Sequence, residues 1–256
     1  MTMQNPVTMT TRGAARASAL PRDTAMLLAA TEYQRFGDML RSLGPGDWGK
    51  QTQCPGWDVR AMAAHALGMV EMAASLRENN RQLRLARSRG GEFVDSLTAL
   101  QVEERQDMTP AQITNRFAAR GPKAARARRR TPGFIRRRVM PERMAIGGRE
   151  EAWTLGYLID IILTRDPWMH RADLAAATGA RHVLTADHDG VLVADVVAEW
   201  AVRHGQPYAL HLTGPAGGTW TRGDDGPVIE TDAVEFCRLL SGRGQAEGLL
   251  TTQVPF

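Results

Sequence analysis

The chain has 256 residues, of which 43% are hydrophobic and 23% charged, a globular composition with room for one large domain or two modest ones. It holds no apolar run of about 18 residues that could cross a membrane, and its two cysteines exclude a disulfide framework and fit a reducing, cytoplasmic setting. The formal charge of +4 is uneven: residues 111–149 carry twelve Lys/Arg against Glu142 alone, so this segment is +11 and the rest sums to −7.

Residues 1–22, rich in Thr, Ala and Arg, lack the apolar core of a secretory signal and read as a disordered leader. Over residues 23–43, Met26, Leu27, Ala30, Phe36, Met39, Leu40 and Leu43 recur at three- and four-residue steps, which predicts an amphipathic helix ended by Gly44-Pro45-Gly46. A loop with Cys54-Pro55-Gly56-Trp57 follows. Asp58 then caps a second helix, running through Val59, Met62, Ala66 and Val70 as far as Leu85. Residues 93–105 and 110–129 form a third helical region broken near Pro110. Residues 131–149, with Pro132, Gly133, Pro141, Gly147 and Gly148, read as a basic loop. A fourth helix is predicted over 150–177, with Gly179 as its stop.

The texture changes after that. A helix over 190–203, strands at 208–212, 219–221 and 228–230, a helix over 231–240 and a last strand at 249–254 describe a small α+β unit. The fold class is therefore α plus α+β: a four-helix bundle over 23–179 and an α+β domain over 180–256.

Of six histidines, His65 shares the apolar stripe of Met62 and Met69, where a satisfied core residue is the usual reading. His170 follows Asp166 by four residues, which places imidazole and carboxylate on one helical face. Asp173 adds a polar group one turn on. Polar groups turned into an apolar bundle must be paired or metal-bound. From the residues alone both readings stay open, with Arg165 or Arg171 as the ion-pair partners of Asp166. His182, His188, His204 and His211 match no motif and read as surface or packing residues. The basic run is interrupted only by the aromatics Phe117 and Phe134 and has no nucleic-acid module signature, so nucleic acid is not the expected partner.

Three stretches, in order, resemble the DinB-like, mycothiol-dependent maleylpyruvate isomerase family. They are Cys54-Pro55-Gly56-Trp57-Asp58-Val59-Arg60 with Ala64-His65-Ala66-Leu67-Gly68, then Arg165-Asp166-Pro167-Trp168-Met169-His170-Arg171-Ala172-Asp173, and finally residues 212–220 with Leu240-Ser241-Gly242-Arg243. The resemblance spans roughly residues 25–256. It implies a DinB-like four-helix bundle, a C-terminal domain related to sterol carrier protein type 2, and a divalent metal, zinc in the usual description, on His65, Asp166 and His170. Asp166 departs from the glutamate of the isomerase itself, and Pro167 inside the helix is a second oddity. The family also implies mycothiol as thiol cosubstrate. The metal-activated thiolate would serve either cis–trans isomerisation or thiol transfer to a small electrophile. Arg243 matches the family's C-terminal arginine, expected to hold an anionic substrate; the plain alternative is a helix C-terminal cation. Cys54 reads as part of a structural turn, and Asp173 as either an orienter of a ligand histidine or a surface partner of Arg171. At least one of Arg143 and Arg149 is expected to face the cavity of His170 and clamp an anionic ligand, with most of Arg126 to Arg138 solvated. The rival class is a non-catalytic metal- or anion-binding protein using the basic loop.

Overall fold

The periodicity of residues 23–43 closes into α1 (Arg22–Ser42), the first helix of the computed structural model, which describes residues 15–256. α1 buries Met26, Leu28, Tyr33, Phe36, Met39 and Leu40 on one face. α2 (Val59–Ala74) starts where Asp58 accepts a hydrogen bond from the Ala61 amide at 2.7 Å. It ends at Ala74, eleven residues before the expected Leu85. Ser75 adopts an extended backbone and caps a separate helix, α3 (Leu76–Arg89), whose sequence is mostly polar and whose Leu76 is 84% exposed. α4 (Phe93–Glu103) follows. α5 (Pro110–Arg130) opens with a reciprocal capping box between Thr109 and Gln112.

Residues 131–149 are not a loop. They hold a short helix, α6 (Gly133–Arg136), and β1 (Val139–Ile146), which pairs antiparallel with β2 (Arg149–Thr154) across Gly147-Gly148. Both glycines have positive φ, +56° and +74°, as a two-residue hairpin turn requires. The helix predicted from residue 150 therefore begins later, at α7 (Leu155–Tyr157), and passes through a π-turn (Leu158–Ile162) into α8 (Leu163–Thr178). Gly179, at φ +75°, stops it. The expected leader divides. Residues 1–14 lie outside the described residues, whereas Arg16 is ordered against the hairpin, its amide donating to Ala152 O at 2.8 Å and its carbonyl accepting from Thr154 N at 2.9 Å.

Pro167 sits inside α8 without breaking it. It removes the amide that Leu163 O would receive, and Leu163 N reaches back to Leu158 O, not Ile159 O. Arg128, only 2% exposed, supplies both missing donors: Nη1 to Leu163 O and Nε to Ile159 O, each at 2.9 Å. Its neighbour Arg136 is buried on Asp160 of the π-turn. Two of the arginines in the basic run are thus structural, while Arg126, Arg129, Arg130, Arg137 and Arg138 are exposed.

Beyond Gly179, a second π-turn (Ala186–Gly190) leads into α9 (Val191–His204). β3 (Tyr208–Thr213), β4 (Gly218–Arg222) and β5 (Val228–Asp232) form a three-stranded sheet in the order β4-β3-β5, with β3 antiparallel to β4 and parallel to β5. α10 (Ala233–Leu240) crosses it. The strand expected at 249–254 is a 3₁₀ turn (Gly248–Thr251) followed by extended chain, pinned where Val254 N donates to Leu240 O.

The described chain is thus a mixed helical fold with two small sheets. α1, α2, α5 and α8 pack around Phe36, Leu40, Met62, Leu67, Ile113, Phe117 and Leu174. A second core joins Trp200, Leu210, Phe236 and Leu240 to Trp168 and Met169 of α8 and Leu28 of α1, so apolar contact runs unbroken past Gly179. Buried ion pairs reinforce the seam: Arg165 with Asp195 and Glu199, and Arg171 with Glu32 and Asp189. No helix among the described residues is long and apolar enough to cross a membrane.

Candidate metal centre

Three sequence-separated side chains meet between α2 and α8. His65 Nε2 lies 3.5 Å from Asp166 Oδ1, and His170 Nε2 lies 3.4 Å from the same oxygen. All three ligand atoms fall within 4.8 Å of one another. Ligands about 2.0–2.1 Å from a tetrahedral ion stand about 3.3–3.4 Å apart, so the two measured edges have the length a zinc-sized ion would span.

Local folding explains each position. On α2, His65 is one turn beyond Met62 and is 4% exposed. On α8, Asp166, His170 and Asp173 follow at steps of four and three and share a face. The 54–57 turn closes by a Trp57 N to Cys54 O bond at 3.0 Å, with Gly56 at φ +79°. It sets the Trp57 ring 5.0 Å from the His65 ring and 6.1 Å from that of His170, walling one side. Cys54 Sγ comes within 3.8 Å of Asp173 Oδ2, so this turn residue borders the cluster.

The outer nitrogens of both rings are occupied. His65 Nδ1 lies 2.8 Å from Gln101 Oε1, and His170 Nδ1 lies 3.3 Å from Asp173 Oδ2. A carboxylate only accepts, so His170 donates from Nδ1 to Asp173 and keeps Nε2 on the side of Asp166. Asp173 is fully buried and accepts from Arg243 Nε at 3.0 Å on both oxygens; Nη2 of Arg243 is 3.0 Å from Oδ2. Arg243 therefore reaches the cluster from the C-terminal unit through Asp173.

The electrostatics are those of tightly coupled neighbours. Burial alone would raise the Asp166 carboxyl and lower the His170 ring. The attraction between them, with the hydrogen bonds to His65 and Asp173, outweighs it: Asp166 is held well below the usual carboxylate range and His170 well above the usual imidazole range. Such a set stabilises positive charge at the point where the three meet, whether proton or metal.

The other expected residues fall elsewhere. Arg143 and Arg149 are exposed on the β1–β2 hairpin, and among the described residues no hydrogen bond or ion pair joins either to His65, Asp166 or His170. Arg143 points outward because β1 turns its alternate residues Met140, Glu142, Met144 and Ile146 inward, and Arg149 opens β2 at its exposed end. The structural alternative for Asp166 is also not what the chain adopts: Arg165 and Arg171 are saturated by other carboxylates. His188 is a buried partner of Glu32 at 2.9 Å. Glu32, His188 and Asp189 form another compact acidic group, but Arg35 and Arg171 already neutralise it. Two surface hollows of about 480 and 440 Å³ are lined by other residues, Met108 with Arg116 and Arg35 with Arg181; the donor geometry, and not hollow size, marks the candidate site. The unforeseen participant is Gln101, fully buried on α4. Its one signal was an amide four residues after Leu97, on the helix's apolar stripe.

Two imidazoles and one carboxylate, brought together by two packed helices, make a donor set of the kind that holds a catalytic divalent ion. The sequence model of the mycothiol maleylpyruvate isomerase N-terminal domain matches residues 29–175, and the chain belongs to that family. Two solved structures share its fold: the mycothiol-dependent maleylpyruvate isomerase, 16% identical, and a histidine-to-alanine mutant of that isomerase, 15% identical. Each match has a TM-score of 0.56 and covers 88% of this chain and 90% of the other. No curated protein matches the sequence.

Proposed function

We propose that the protein is a mycothiol-dependent metalloenzyme that isomerises a small cis-unsaturated acid such as maleylpyruvate, or transfers the thiol to a related electrophile. The observation that carries this reading is the convergence of His65, Asp166 and His170 at 3.4–3.5 Å, in a chain of this family. On the same reading α1, α2, α5 and α8 are a DinB-like four-helix bundle, residues 23–179. Residues 180–256 are a sterol-carrier-like domain, and the protein acts in the cytoplasm.

His65 and His170 would each offer an Nε2 lone pair, and Asp166 one carboxylate oxygen, leaving a fourth position open. A divalent ion held there, zinc by the nitrogen and oxygen donors, would lower the pKa of a bound thiol so that it is nucleophilic at neutral pH. Asp173 fixes the ring of His170 by accepting its Nδ1 proton, as a carboxylate behind a ligand histidine does. Arg243 holds Asp173 in place and keeps a guanidinium beside the cluster, where a substrate carboxylate would find it. Trp57 keeps water from one side of both rings. Asp166, one methylene shorter than glutamate, needs its helix turn held firmly, and Arg128 supplies that support at Leu163.

The test is to supply maleylpyruvate with and without mycothiol and follow the cis-to-trans change. Isomerisation that requires the thiol, and is lost in His170→Ala, supports the reading. Thiol consumption with an alkylating electrophile but no isomerisation assigns the transferase branch. Neither reaction in a metal-loaded protein refutes both and leaves a binding protein.

A further inference from the structure

We infer that a buried amide relay, Gln82 to Gln101, fixes His65 Nδ1 as a hydrogen-bond donor, and that the direction of the relay is set by the Glu78 carboxylate at the first turn of α3. The consequence for metal binding rests on the proposed function; the direction of the relay does not.

The relay runs inward from Glu78. A carboxylate has no proton to give, and Arg81, which donates to both of its oxygens at 2.9 and 2.6 Å, keeps it ionised down to about pH 2. Gln82 must therefore turn its NH₂ toward Glu78, where Nε2 donates to Oε1 at 2.8 Å; the other neighbour of that nitrogen, Gly68 O at 3.4 Å, is also an acceptor. This leaves Gln82 Oε1 to accept from Gln101 Nε2 at 2.9 Å. The same nitrogen has the Met69 and Met72 sulfurs at 3.3 and 3.2 Å, both weak acceptors. Gln101 Oε1 is then the end that faces His65 Nδ1 at 2.8 Å, and the ring must be the donor. His65 Nε2, 3.5 Å from Asp166 Oδ1, is left as the nitrogen free to turn a lone pair to an ion at that point.

Burial makes the direction binding. Gln82 and Gln101 are both 0% exposed, so water cannot rescue a reversed amide. Reversal would set Gln82 Oε1 against the Glu78 carboxylate, and acceptor would meet acceptor. Gly68 makes room for the relay: a Cβ there would lie 2.5 Å from Gln101 Cγ. Glu78 is thus a positioning residue, acting on His65 through two amides.

Glu78→Gln tests this, because an amide at position 78 can face Gln82 with either end. Glu104→Gln is the control: Glu104 pairs with the same Arg81, at 2.6 and 2.7 Å, but stands outside the relay. In metal-free protein labelled with ¹⁵N-histidine at mildly alkaline pH, the His65 Nδ1 shift should report a protonated nitrogen in the parent and in Glu104→Gln. It should report partial loss of that proton in Glu78→Gln, whose zinc affinity should fall about ten-fold. An Nδ1 that stays fully protonated in Glu78→Gln overturns the relay, and so does an equal loss in Glu104→Gln, which would trace the effect to Arg81. If Nδ1 responds as stated but the parent takes up no zinc, the relay stands and the metal reading fails.

Discussion

Arg128 replaces the hydrogen bonds that Pro167 and the π-turn take from the helix bearing Asp166, and this substitution of side chain for backbone can be measured. Arg128→Met keeps the aliphatic stem but removes the donors to Ile159 O, Leu163 O, Tyr33 Oη and Thr164 Oγ1. Two buried carbonyls lose their side-chain donor, at about 1–3 kcal/mol each, so we expect a loss of about 4 kcal/mol in urea unfolding. Pro167→Ala in that background returns an amide to Leu163 O. It should recover about 1 kcal/mol that the same change does not give in the parent, where Arg128 already serves that carbonyl. Unfolding free energies of the parent, both single variants and the double variant close the cycle. Additivity within about 0.5 kcal/mol would refute the substitution, because the two sites would then act independently.

Gly68→Ala should displace Gln101, since the new methyl would meet its Cβ and Cγ at 2.7 and 2.5 Å. A loss of about 1–3 kcal/mol in thermal or urea unfolding is expected, together with weaker zinc binding in a competition titration. The buried Nε2 of His182, without a hydrogen-bond partner among the described residues, gives a pH prediction. Burial, helped by Arg171, depresses the ring from its usual 6.5 to about 4. The unfolded chain therefore binds the extra proton first, so stability is highest above about pH 6.5 and falls as the pH drops toward 4. The Tm of the parent should decline through that window, and that of His182→Gln should decline less.

What could be read from the sequence was periodicity and motif; what could not was partnership. The apolar spacing of residues 23–43 and the i, i+4 pair Asp166 and His170 needed no tertiary information, because a helix imposes those faces by itself. The break at Ser75 lay within an uninterrupted helical propensity, and only the outward turn of polar α3 reveals it. The hairpin was hidden by composition. Met140, Glu142, Met144 and Ile146 alternate, but Pro141, Gly147, Gly148 and the arginines around them read as loop signals. Charge misled in the same segment: the buried Arg128 and Arg136 cannot be told from their solvated neighbours until the freed carbonyls of the π-turn and Asp160 are brought beside them. Gln101 was silent for a related reason, since its meaning comes from His65, thirty-six residues earlier in the chain.

The central claim is that His65, Asp166 and His170 hold one metal ion. Protein purified without chelator or polyhistidine tag, then analysed by plasma mass spectrometry, should contain about one divalent ion per chain. His65→Ala, Asp166→Ala and His170→Ala should each lose it while keeping the parent's circular dichroism. A parent that carries no metal and takes up none from added zinc, or a His170→Ala variant that keeps full occupancy, would contradict the account.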